Sequence, residues 1–150
     1  MAATAKTRLL RQGIKTHIEK VMGGHFNAIL QFDHDVQVAI DAGFVQKGKP
    51  ALLIALDTQA PLLRGGDLSR ALTQVRFLLH VIITLTGKSQ YEEKLFLADD
   101  LADDLADQLE RKNFDMALYG GKRVAVSAVV AIDDLDFDII GRTLGLTIDK

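Results

Sequence analysis

From Val75 to Leu85 every second residue is apolar: Val75, Phe77, Leu79, Val81, Ile83 and Leu85. Gln74, Arg76, His80, Thr84 and Thr86 alternate with them, and β-branched residues are frequent, so the stretch predicts a strand. It is longer than the usual ~5–6 residues. Leu78 and Ile82 share the second face, so both sides of this strand carry apolar groups. A helix fits worse, because apolar residues would then surround it completely.

The first segment has a different period. From about Thr4 to Met22, Leu10, Ile14, Ile18 and Val21 fall on one stripe of a helix. Arg8, Arg11 and Lys15 form a basic flank beside it, and Gly23-Gly24 ends it. His17 lies at the edge of the stripe and reads as a boundary residue rather than a ligand. In residues 25–49, "FNAILQF" and "VQVAI" each read as a short strand, and "KGKP" as a turn. "ALLIALD", Ala51 to Asp57, is a short apolar run bracketed by Pro50 and Pro61, as expected of a buried strand. The connection "TQAPLLRGGDLS" follows, and it contains Leu62 and Leu63.

After the long strand, Ser89 with Glu92 three residues later reads as a capping box. The second helix then runs to about Lys112, with Arg111 and Lys112 at the negative end of its dipole. "KRVAVSAVVAI" and "LDFDIIGRTLGLTID" read as two strands joined at Asp133-Asp134. In the last one the apolar positions are odd up to Ile139 and even from Leu144, and this slip near Gly141 predicts a bulge. The expected fold is α+β: one domain over residues 1–150, with a mainly antiparallel sheet, a long central strand and two main helices covering one face.

Composition narrows the classes. The chain has 150 residues and no cysteine, so neither a disulfide framework nor a thiolate metal site is expected. No apolar run approaches the ~20 residues of a membrane helix. The start has no acid before Glu19, but it lacks an apolar signal core and reads as part of the first helix. The net charge of −2 conceals a split. Residues 1–90 carry 11 Lys and Arg against 6 Asp and Glu, a net of +5; residues 91–150 carry 7 against 14, a net of −7. No basic cluster interleaves with aromatics, which argues against nucleic-acid recognition.

The stretch "LADDLADDLADQL", Leu97 to Leu109, raises the question of metal chemistry. Its D-D-L-A-D spacing occurs in prenyl-diphosphate enzymes, where it holds magnesium. On a helical wheel, however, Leu97, Leu101, Leu105 and Leu109 fall within about 120°, and Asp99, Asp100, Asp103, Asp104 and Asp107 on the opposite side. That is an amphipathic helix with a solvated face. The facing second motif that such metal sites require is missing from the sequence. Asp33-His34-Asp35, with His25 nearby, has no zinc spacing and reads as turn chemistry. No P-loop, nucleophile elbow or dinucleotide turn occurs, so no catalytic residue, metal ligand or cofactor is assigned.

The segments "PALLIALD", "TQVRFLLHVIITLTG", "LADDLADDLADQLE" and "FDIIGRTLGLTID", in this order after an N-terminal helix, carry a resemblance. The chain resembles the tail terminator, or tail completion, proteins of long-tailed bacteriophages over most of residues 4–149. The resemblance implies a structural virion protein without catalysis. Copies would form a hexameric ring at the head-proximal end of the tail, assembled in the host cytoplasm. Its partners would be itself, the tail tube protein and the head-side connector protein. The basic and acidic halves suit contacts in which unlike faces meet. Expected subunit contacts are Arg8, Arg11, Lys15, Leu62, Leu63, Leu78, Ile82, Asp99, Asp103 and Asp107. The competing readings are a dimeric α+β ligand-binding or regulatory module, and a metal-dependent or hydrolytic enzyme using the Asp cluster of the second helix or Asp33-His34-Asp35.

Overall fold

The structure, a computed structural model, describes residues 7–57, 74–110, 114, 123–132 and 135–149. Helix α1 spans Thr7–Met22, strand β1 Ala28–Gln31, helix α2 Val36–Asp41 and strand β2 Ala51–Leu56. Strand β3 spans Gln74–Thr84, helix α3 Tyr91–Leu109, β4 Arg123–Val126, β5 Val130–Ala131 and β6 Ile139–Asp149. The sheet order is β1-β2-β3-β6-β4, and β5 also pairs with β6. Only β1 and β2 run parallel among the described strands; the remaining pairs are antiparallel.

The alternation in β3 decides the layers. Val75, Phe77, Leu79, Val81 and Ile83 enter one core with Leu101, Leu105 and Leu109 of α3 and with Leu10, Ile14 and Ile18 of α1. Both long helices therefore cover the same face, as the sequence predicts. The opposite face has its own smaller core, in which Val36 and Ala39 of α2 meet Leu53, Ile82 and Ile139. Thus the chain itself covers Ile82, which is fully buried. Ile82, expected among the subunit contacts, is therefore covered by α2 of its own chain.

Helix α2 replaces the strand expected at "VQVAI". The residues are too few for period alone to choose, since Val36 and Ala39 suit a helical i, i+3 pair as well. The cap decides: Asp35 Oδ1 accepts the Gln37 backbone N–H at 2.9 Å. The start of α3 also differs. Ser89 does not cap it; Lys88–Gln90 form a 3₁₀ turn, and the N-cap, Gln90, makes no side-chain cap bond. The chain tightens earlier, where Gln90 N–H donates to Gly87 O at 3.2 Å. Helix α3 ends at Leu109, where the C-cap Glu110 is extended; Arg111 and Lys112 lie outside the described residues. The joint at Asp133-Asp134 also lies outside them.

The bulge expected near Gly141 is elsewhere. β6 pairs with β3 without interruption from Asp149 opposite Gln74 to Ile139 opposite Thr84. The phase shift has another cause: Ile139 enters the second-face core, while Ile140, Leu144, Leu146 and Ile148 enter the first. Gly141 is small because a Cβ there would lie 2.7 Å from Ile132 Cδ1 and 2.8 Å from Leu135 Cδ1. The irregularity belongs to the edge. β4 pairs Val126 with Leu146, but β5 pairs Val130 with Thr143, one residue out of step. Between them, Ser127 Oγ accepts the Gly145 N–H at 2.7 Å and so satisfies it across the break.

Truncation should separate core from edge. Leu105→Ala is expected to cost about 2–5 kcal/mol and Phe77→Ala about 3–5 kcal/mol, since both side chains are fully buried. Val130→Ala, at an exposed edge position, should stay within about 0.5 kcal/mol. Urea midpoints with unchanged slopes would measure this; unshifted midpoints for both core variants would refute the packing.

Candidate interaction surfaces

Helix α1 is tied at both flanks. On one side His17 Nε2 hydrogen-bonds the Gln108 carbonyl oxygen at 2.8 Å and its ring stacks on Phe114 at 4.3 Å. That side faces the end of α3, and His17 is a boundary residue there. On the other side Arg11 reaches the β1 end of the sheet. It donates to Asp33 Oδ2 at 2.5 Å and to Gln31 Oε1 at 3.2 Å, and its guanidinium lies 5.6 Å from the centre of the Phe77 ring. Arg8 and Lys15 fall within about 60° of Arg11 on the wheel, so the basic flank points to the β1 edge. Arg8 is exposed and Lys15 half-buried, and neither forms an ion pair with a described residue.

Helix α3 has the complementary arrangement. Its Gln108 side meets α1, while Asp99 on the opposite side accepts from Arg142 Nε of β6 at 2.7 Å. Glu92 and Asp103 lie within about 40° of Asp99, so they continue this acidic flank toward the β4–β5 edge. Both are exposed. The two flanks thus share one face of the sheet but stand at opposite edges. Five strands at about 4.8 Å spacing separate the edges by roughly 20 Å, beyond the Debye length at physiological salt. They do not meet within one molecule.

The expected contact residues divide accordingly. Arg11 and Asp99 are engaged inside the chain, with Asp33 and Arg142 respectively. Ile82 is buried under α2, and Leu78 is half-buried between Ala55 and Gly145. Leu62 and Leu63 lie outside the described residues. Asp107 is exposed and has an interaction partner of its own. Arg8, Lys15 and Asp103 remain outward-facing. The period reading overlooked the exposed aromatic residues. Phe96 is 57% exposed on α3, and Phe137 is 65% exposed and stacks on Tyr91 at 5.2 Å. Their signal is visible in the sequence: Phe96 falls on the acidic side of the wheel, and Phe137 sits between Asp136 and Asp138.

The Asp33-His34-Asp35 cluster is structural. Asp33 Oδ1 accepts the Leu56 N–H at 2.9 Å and Oδ2 holds Arg11, so the carboxylate clasps α1 to the ends of β1 and β2. Partial burial works to raise its pKa, but the Arg11 and Leu56 hydrogen bonds and the charges of Arg11 and His34 outweigh it and hold the carboxyl below its usual range. His34 meets Phe32 edge-on. Among the described residues, no three His, Asp or Glu side chains are grouped so as to hold a metal ion, and no helix is long and apolar enough to cross a membrane.

On the second face a cleft of about 840 Å³ lies between α2 on one side and Ile132, Leu135 and Asp136 on the other, with His80, Asp35, Val38 and Asp41 also lining it. His80 Nδ1 hydrogen-bonds Thr143 Oγ1 at 2.6 Å. Burial pushes the imidazole pKa down from 6.5, and the nearby Asp35 carboxylate opposes this in part. No protein-family model matches the chain, and no curated protein matches it in sequence.

Two outcomes test these assignments. The folded chain binds the His80 proton less readily than the unfolded chain, so stability is full above the unfolded value of 6.5 and falls as pH drops through the folded value. His80→Gln keeps a hydrogen-bonding group toward Thr143 and should flatten part of that fall; an unchanged slope of urea midpoint against pH would exclude His80 as its source. Separately, Asp100→Asn with Asp104→Asn should leave stability within about 0.5 kcal/mol, as befits an exposed, solvated face. A large loss, or a melting shift on adding Mg²⁺ that the double variant abolishes, would restore the metal reading.

Proposed function

We propose that this chain is a structural assembly protein of a long-tailed bacteriophage. In this reading, copies close into a ring, a hexamer as the resemblance implies, which ends growth of the tail tube and offers a surface to the head-side connector. The supporting observation is the polarity of the molecule across its sheet: a basic flank at the β1 edge and an acidic flank at the β4–β5 edge. A subunit with two unlike sides associates head to tail, and such contacts close into a ring when the rotation permits. The order of helix, apolar strand, long strand, acidic amphipathic helix and closing strands adds to this reading.

The cleft around His80 favours a second reading, a ligand-binding or regulatory module that dimerises. Sedimentation and negative-stain imaging of the purified chain, alone and with isolated tail tubes, separate the two. Rings, or a monomer that becomes ring-shaped only on tube ends, are expected. A stable dimer that neither closes into rings nor binds tubes would overturn the assembly reading in favour of the second.

A further inference from the structure

We infer that the partner of the β4–β5 edge is the β1 edge of a second copy of this chain, with Glu92 and Asp103 of one copy facing Arg8 and Lys15 of the next. The inference rests on the reading that copies assemble on one another, and it names the surfaces that meet.

Three observations carry it. The first is the placement of charge. Arg11 and Asp99 are engaged by contacts inside the chain, so the described charges that these two helix flanks still offer outward are Arg8 and the half-buried Lys15 on α1 and Glu92 and Asp103 on α3. Two sheets set side by side with their helices on the same face bring α1 of one copy beside α3 of the next, and these four residues then meet. The second is apolar exposure at the edges. Val130 is 56% exposed on β5, and the next residue, Ala131, lines a surface pocket with Tyr91 and Phe137. At the other edge Phe44 is 49% exposed and packs edge-on against Phe32, which follows β1. Edge-on apolar contact would supply burial, and the charges would choose which edges meet. The third is the form of the edges. β1 has four residues, and the opposite edge is broken by the one-residue offset between β4 and β5. Short, bulged edges oppose continuous strand addition. The contact is therefore one of side chains, which permits a bounded ring rather than an endless sheet.

The test uses two full-length variants. One carries Arg8→Glu and Lys15→Glu, so both of its edges are acidic. The other carries Glu92→Lys and Asp103→Lys, so both of its edges are basic. Circular dichroism and urea midpoints first establish that each folds. Each variant alone should assemble roughly 100-fold more weakly than wild type, or not at all, because like charges then meet across the contact. An equimolar mixture should recover the wild-type sedimentation, because the two variants alternate around a ring with an even number of subunits. Recovery should weaken with added salt. If wild type assembles and either variant alone assembles as well as wild type, the edges proposed here do not meet, and the ring reading stands without them. If the variants fail alone and the mixture also fails, the two flanks are not each other's partner. If wild type remains a monomer both alone and with tail tubes, the assembly reading and this inference fail together.

Discussion

The pairing of β3 with β6 is the constraint from which the other layers follow. Eleven residue pairs run unbroken along these two strands, in the middle of the sheet. A pair this long is apolar on both faces, because Phe77, Leu79 and Leu146 point one way while Ile82 and Ile139 point the other. Each face must therefore be covered. A single register fixes both coverings, since a slip of one residue would turn every side chain to the wrong layer. Helices α1 and α3 bury one face, and α2 with residues 132 and 135 closes the other.

Polar ties then orient the covering helices, and in doing so they sort the charges. His17 joins α1 to the end of α3, Arg11 joins α1 to Asp33, Lys94 donates to the Gly48 carbonyl at 3.3 Å, and Arg142 holds Asp99. Exposed ion pairs contribute little to stability. Here Arg11 and Arg142 are the more buried members of their pairs, so geometry matters more than their Coulomb energy. Once these pairs are made, Arg8 and Lys15 on α1 face one edge, and Glu92 and Asp103 on α3 face the other. This polarity is a by-product of how the helices are fastened, and it is what makes head-to-tail association a physical reading rather than only a resemblance.

The sheet edges limit what such association can look like. An edge strand with free backbone groups invites further strands, and proteins blunt it with shortness, charge or bulges. This chain shows shortness and a break: a four-residue β1, and the Ser127 bridge across the offset in the edge strand. An assembly built on these edges is held by side chains, so substitution can tune its specificity without altering the sheet.

Period and polarity in the sequence were enough to determine α1, β2, β3, α3 and the face on which both long helices lie. Each of these elements is long or strongly apolar, so one pattern outweighs its alternatives. The Asp residues of α3 were legible for the same reason, as the wet side of a helix. Other features needed the tertiary structure, because their cause lies in a distant residue. "VQVAI" became a helix through the Asp35 cap and the space over Ile82. The apparent phase slip in β6 arose because two different cores take its two faces, while the true irregularity sits on the neighbouring edge strand. Which charges remain for a partner was also beyond a one-dimensional reading. Arg11 and Arg8 look alike in the sequence, and so do Asp99 and Asp103. Only the fold places Asp33 and Arg142 where they engage one residue of each pair and leave the other facing outward.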